Sequence, residues 1–126
     1  MRRICVGLAA TLLVVASGSP AFAKMETVAG VLVDEACYME NKANTKEQHA
    51  MKNGPVEMCA TSCAKKGKPV ALVTTDGRKY VVIGQYTANK NQILIPYMAH
   101  TVALTGDVTT NRDGSATISV VSIKGL

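Results

Sequence analysis

The sequence predicts a mainly β protein, a small closed barrel of five or six strands with one short cysteine-bearing helix. Three observations lead there. Short runs rich in β-branched residues recur along about 100 residues, separated by turn signals. Asp76-Gly77 sits between two apolar runs, a strong hairpin signal. Helical periodicity is clear in one segment alone, residues 55–66.

Taken in order, Thr27 to Val33 reads as the first strand, and Asp34-Glu35-Ala36-Cys37 as the turn that leaves it. Residues 38–54 are polar and aperiodic, a loop with a helical turn near Lys46–Met51. Pro55 suits the first position of a helix, Glu57 complements its dipole, and Gly67 after Lys65 and Lys66 is a good C-terminal stop. Val56, Cys59, Ala60, Cys63 and Ala64 form one stripe along that helix. Pro69 to Thr75 and Lys79 to Ile83 are the strands of the Asp76-Gly77 hairpin. Ala88 to Asn91 reads as a helical turn and Gln92 to Ile95 as a short strand stopped by Pro96. His100 to Thr109 alternates, with Val102, Leu104 and Val108 on one parity and Gly106 interrupting it. Asn111 to Gly114 is a turn. Ala116 to Ile123 closes the chain, with Ile118, Val120 and Ser122 on one face and Val121 and Ile123 on the other. Val31, Val33, Leu72, Val82, Leu104, Ile118 and Val120 are the expected core. This order fits an OB-like barrel; an open α+β sheet with the helix on one face is the alternative.

The N-terminus sets the expected compartment. Arg2 and Arg3 precede a stretch of about 13 apolar residues, Ile4 to Ala16, and Ala21-Phe22-Ala23 offers small residues where a signal peptidase reads them. Residues 1–23 are therefore expected to be a cleaved signal peptide, and residues 24–126 a single small domain, periplasmic or secreted. The apolar stretch falls short of the roughly 20 residues that span a bilayer, so no transmembrane anchor is expected after processing. Residues 1–23 carry two basic residues and no acid, so the formal charge falls from +5 to +3 on their removal. With aromatic residues at 4%, that modest excess makes no nucleic-acid interface; a protein partner stays open.

Three cysteines remain beyond Cys5: Cys37, Cys59 and Cys63. In an oxidising compartment cysteines pair, and the leading reading is a structural disulfide from Cys37 to Cys59 or Cys63. Closing a loop of that length contributes on the order of 3 kcal/mol. The competing reading is a metal site. Cys59 and Cys63 are one helical turn apart, and with Cys37 and His49 they make a four-ligand Cys3His set for zinc. Copper(I) is the variant that would recruit Met39 and Met58. A thiol-redox role wants C-x-x-C, and haem attachment C-x-x-C-H; both are absent.

Other candidates carry less. Asp34 and Glu35 point to opposite faces of an extended chain, so they are a poor catalytic pair; Asp34 is expected to accept backbone hydrogen bonds at the strand end. His100 reads as a capping residue at a strand start, with a pH-sensitive contact as its functional alternative. Lys65, Lys66 and Lys68 read as a solvated helix end. No nucleophile, zinc-protease or phosphate-loop motif is present, and no catalytic residue is assigned.

Three stretches carry a resemblance: Gly30-Val31-Leu32-Val33-Asp34-Glu35-Ala36-Cys37; His49 with Cys59 to Val73 and Asp76-Gly77; and His100 to Val108. Together they resemble a family of small exported bacterial proteins with an OB-like β-barrel. The resemblance spans most of residues 30–108 and implies a fold and a compartment; no activity or catalytic residue comes with it. The expected function is a non-enzymatic binding or interaction module with structural cysteines and no cofactor. The alternative is a periplasmic zinc- or copper-binding protein.

Overall fold

The computed structural model describes residues 22–46, 48–50 and 56–126. Seven strands are formed: β1 (Lys24–Asp34), β2 (Gln48–Ala50), β3 (Val56–Met58), β4 (Val70–Val73), β5 (Lys79–Ile83), β6 (Thr101–Thr110) and β7 (Ala116–Gly125). Two short helices bear the cysteines, α1 (Glu35–Glu40) and α2 (Cys59–Lys65).

Five strands close into a barrel in the order β1-β4-β5-β7-β6 and back to β1. Neighbours are antiparallel except β5 and β7, which run parallel. This is the small mainly β barrel expected, and the open-sheet alternative falls away because β1 seals the cylinder. Its residues 24–31 pair with β6, and Val31 to Asp34 pair with β4. Gly30 stands where the strand changes neighbours; a Cβ there would collide with the Val73 carbonyl, so this close crossing needs glycine.

The barrel interior is filled by Leu32, Leu72, Leu104, Val102 and Ile118, with Leu94 and Met98 closing it and Ala60 and Ala64 of α2 packed on it. Of the expected core, Val33, Leu72, Val82, Leu104, Ile118 and Val120 are buried. Val31 is half-buried and belongs with Val33 to a second cluster against Tyr38, Ala71 and Val73. The correction is one of parity. Leu32 faces the barrel interior, and Val31 and Val33 face the outer side, which α1 covers.

Other expectations are also revised. The segment 38–54 is not one loop: Asp34-Glu35-Ala36-Cys37 leads straight into α1, and residues 48–50 are extended rather than helical. The helix expected over 55–66 is the shorter α2. Val56 to Met58 instead pair with β2, where His49 stands opposite Glu57; a β-branched residue such as Val56 suits that ladder, and Pro55 lies outside the described residues. Gln92 to Ile95 is not a strand, since Leu94 turns inward and a 3-10 turn follows over Ile95–Tyr97. Ala88–Asn91 is a turn, but Asn89 and Lys90 within it are left-handed. The register of β6 and β7 shifts between Thr105 and Gly106. Thr105 pairs with Ser122 and Gly106 with Val120, so Val121 is the extra residue of a bulge. That flips the parity, leaving Ser122 exposed and packing Ile123 against the core.

The Asp76-Gly77 hairpin forms as read, and so does the Asn111–Gly114 turn between β6 and β7. Among the described residues no helix is long and apolar enough to cross a membrane.

Candidate metal centre

The last residue of β1 and the two short helices build the site. Asp34 shares its strand parity with Leu32 and is buried at one end of the barrel. It is also the N-cap of α1: its Oδ1 accepts the Cys37 backbone N–H at 3.2 Å. The backbone-accepting role expected of Asp34 is therefore present. Its other oxygen is the surprise. Oδ2 is buried and has no hydrogen-bond partner among the described residues. A buried carboxylate oxygen without a partner is costly, and a bound ion is one of the few things that account for such an atom.

Cys37 is the third residue of α1 and is 1% exposed. Beside it, Lys79 of β5 pairs with Glu35 at 2.5 Å and donates to the Met39 sulfur at 3.4 Å, tying α1 to the barrel wall. The Met39 thioether thus faces Lys79 and is otherwise exposed.

Cys63 enters from α2, half-buried. The helix ends two residues later in a Schellman motif. Gly67 takes φ 79°, its N–H donates to the Ala64 carbonyl, and the Lys68 N–H donates to the Cys63 carbonyl. Gly67 thus performs the stop that the sequence predicted. Burial pushes the Cys63 thiol up to about 12, helped by the adjacent Asp34 carboxylate and then by Cys37. At neutral pH this thiol stays protonated. A bound cation would reverse that balance, because a thiol that coordinates a metal does so as the thiolate and releases its proton to solvent.

One ligand atom each from Asp34, Cys37 and Cys63 lies within 4.8 Å of the others. No protein-family model matches the chain, and no curated protein or solved structure matches it either.

A disulfide was expected from Cys37 to Cys59 or Cys63; the bond to Cys63 is not formed, the two thiols standing 4.4 Å apart, and the Cys59 side chain lies outside the described residues. A disulfide holds its sulfurs about 2.05 Å apart, whereas two thiolates on one tetrahedral zinc are about 3.8 Å apart, from zinc–sulfur bonds of about 2.3 Å. The observed spacing lies nearer the second value. Of the Cys3His set read from the sequence, Cys37 and Cys63 converge. Cys59 opens α2 four residues before Cys63, and His49 lies on β2, which packs against α2; the side chains of both lie outside the described residues. Sequence reasoning missed Asp34 as a donor. The signal was there in D-x-x-C at the end of a strand, a spacing that brings a cap and the third residue of a helix together.

His100 is exposed, and its Nδ1 meets the Met98 carbonyl at 2.8 Å. This is a local strand-start contact, as its capping reading implied. A groove lined by Ala29, Gly30, Val31, Thr45, Val73 and Thr74 among others contains none of the three donors.

Proposed function

We propose that this chain is an exported, non-enzymatic binding protein whose ligand is a zinc-class divalent ion held by Asp34, Cys37 and Cys63. The observation that carries the reading is the buried Asp34 Oδ2, partnerless among the described residues and grouped with the Cys37 and Cys63 sulfurs. Two thiolates and a carboxylate suit zinc. They suit copper(I) less, because a hard carboxylate oxygen is a poor copper(I) ligand and Met39 is engaged with Lys79. Cys59 and His49 are the candidates for the fourth donor, Cys59 by its place in α2 and His49 by its place on the neighbouring strand. The signal-like residues 1–23 support export.

When bound, the ion would neutralise the Asp34 carboxylate and hold both thiols as thiolates, protecting them from the oxidants of an exporting compartment. The protein supplies the rest: β1 fixes Asp34, and the two helices deliver one thiol each. Elemental analysis with thiol counting on protein recovered from its own compartment tests this. One zinc per chain is expected, with thiols that react on denaturation only when a chelator is added. A metal-free protein whose thiols react on denaturation without a chelator, or one with a Cys37–Cys63 disulfide, overturns it.

A further inference from the structure

Three polar or charged side chains are buried among the described residues: Asp34, Asn44 and Asn91. Burying an amide is unfavourable unless its hydrogen bonds are met, so where a small barrel places its buried amides is informative. Both serve the segments that bear the cysteines. Asn44 donates from Nδ2 to the Cys37 carbonyl at 3.0 Å, beside the Asn41 N–H that meets the same carbonyl at 3.0 Å. Asn91 donates from Nδ2 to two carbonyls at the end of α2, Ala64 at 3.0 Å and Lys68 at 2.9 Å. These bracket the Schellman turn that ends the Cys63 helix.

The backbone around Asn91 is unusual. Asn89, Lys90 and Asn91 are consecutive left-handed residues at φ 52°, 56° and 60°. Single residues visit this region; three in a row are disfavoured and persist only when their surroundings hold them there. Here the turn lies directly on the end of α2. The Lys90 stem passes 3.5 Å from where a Gly67 Cβ would stand, and the Asn91 amide reaches over to the helix end.

We infer that Asn44 and Asn91 are positioning residues, which fix the Cys37 and Cys63 thiols at metal-ligating spacing before any ion arrives. The inference rests on the metal reading for its purpose, but the clamping itself does not need a metal. Outer partners of this kind usually alter metal affinity by 10–100-fold when removed.

Cobalt(II), titrated into the metal-free full-length chain, reports thiolate ligation directly through its sulfur charge-transfer absorption. Asn44→Ala and Asn91→Ala are each expected to weaken cobalt binding at least tenfold. Val108→Ala serves as the stability control. Val108 pairs with Lys24, at the far end of β1 from Asp34, and truncating this buried side chain should lower stability. It should leave cobalt affinity within about twofold of the unsubstituted chain, given that well-separated sites act independently. A second measurement needs no metal. With Cys5 and Cys59 replaced by Ser and a chelator present, the glutathione equilibrium of the Cys37–Cys63 pair gives the effective concentration of one thiol at the other. Each asparagine variant should lower it at least tenfold and Val108→Ala should not. Asparagine variants that match the unsubstituted chain in both measurements, or a Val108→Ala loss as large as theirs, overturn the inference. If the unsubstituted chain shows no cobalt–thiolate absorption while the thiol pair still responds to the asparagine variants, the positioning role stands and the metal reading fails.

Discussion

Asp34 caps the helix that carries Cys37, accepting its backbone N–H with one carboxylate oxygen while the second oxygen lies buried without a partner among the described residues. One residue thus does structural duty on one side and is left available on the other. The two duties can be separated by substitution.

Asp34→Asn retains a cap oxygen and replaces the partnerless one with an amide. Metal-free stability should stay within about 1 kcal/mol of the unsubstituted chain, since Asn caps about as well as Asp, while zinc affinity falls at least tenfold. Asp34→Ala should lose zinc and also about 1 kcal/mol from the missing cap. Denaturant melts and chelator competition read the two effects separately. Unchanged zinc affinity in Asp34→Asn would remove the carboxylate from the donor set.

The Cys63 thiol gives the metal-free protein a pH signature. Its folded pKa is raised to about 12, mainly by burial and then by the Asp34 carboxylate. The unfolded thiol ionises near its ordinary value, so the unfolded state sheds this proton first. The thiol's contribution to stability is therefore fully present below about pH 8.5 and is lost progressively as pH rises from there towards 12. Alkylation of Cys63 should likewise be slow at pH 8, because the thiolate is the reactive form. Denaturant melts between pH 8 and 11, compared with Cys63→Ser, check the sign. A stability that rises over this range would show that the thiol is ionised in the fold.

The barrel core makes a separate prediction. Leu104 is fully buried, so Leu104→Ala should cost roughly 2–5 kcal/mol. Val121, the exposed bulge residue, should tolerate Val121→Thr within about 0.5 kcal/mol. Urea melts measure both. A neutral Leu104→Ala would place the β6 face wrongly.

Zinc and a disulfide should exclude each other. The Cys37 and Cys63 thiols are close enough for side-chain rotation to join them, and ligation would occupy both. A small-molecule disulfide oxidant should therefore link them in chelator-treated protein, its own S–S bond breaking as it takes two electrons and two protons and leaves as two thiols, and fail to do so in zinc-loaded protein. Peptide mapping after oxidation identifies the linked pair. Equal linkage in both preparations would count against a shared site.

Much of the barrel was legible because its signals are local. Alternation at Val102, Leu104 and Val108 reports a half-buried strand directly, and Asp76-Gly77 reports a turn. The shift in register beside Gly106 depends on pairing with β7, so the flip at Val121 and Ile123 was hidden. Val31 was assigned to the wrong side because β1 is buried on both faces at its end, where alternation no longer separates inside from outside. Val56 to Met58 carried a helical stripe and yet pair with β2, a long-range contact overriding a local pattern. At the site, the spacing of Cys59 and Cys63 drew attention to α2, and the meeting of Cys37 with Cys63 follows from α2 packing on β1. Asp34 escaped because its cap role explained one oxygen and left the other uncounted. The left-handed turn that carries Asn91 has no glycine to announce it.

X-ray absorption at the zinc edge of the loaded chain is the most direct test of the central claim. A shell with at least two sulfurs near 2.3 Å and at least one oxygen or nitrogen near 2.0–2.2 Å is predicted, with one sulfur lost in Cys63→Ser. A shell of light atoms alone, or a chain that takes up no zinc, would contradict it.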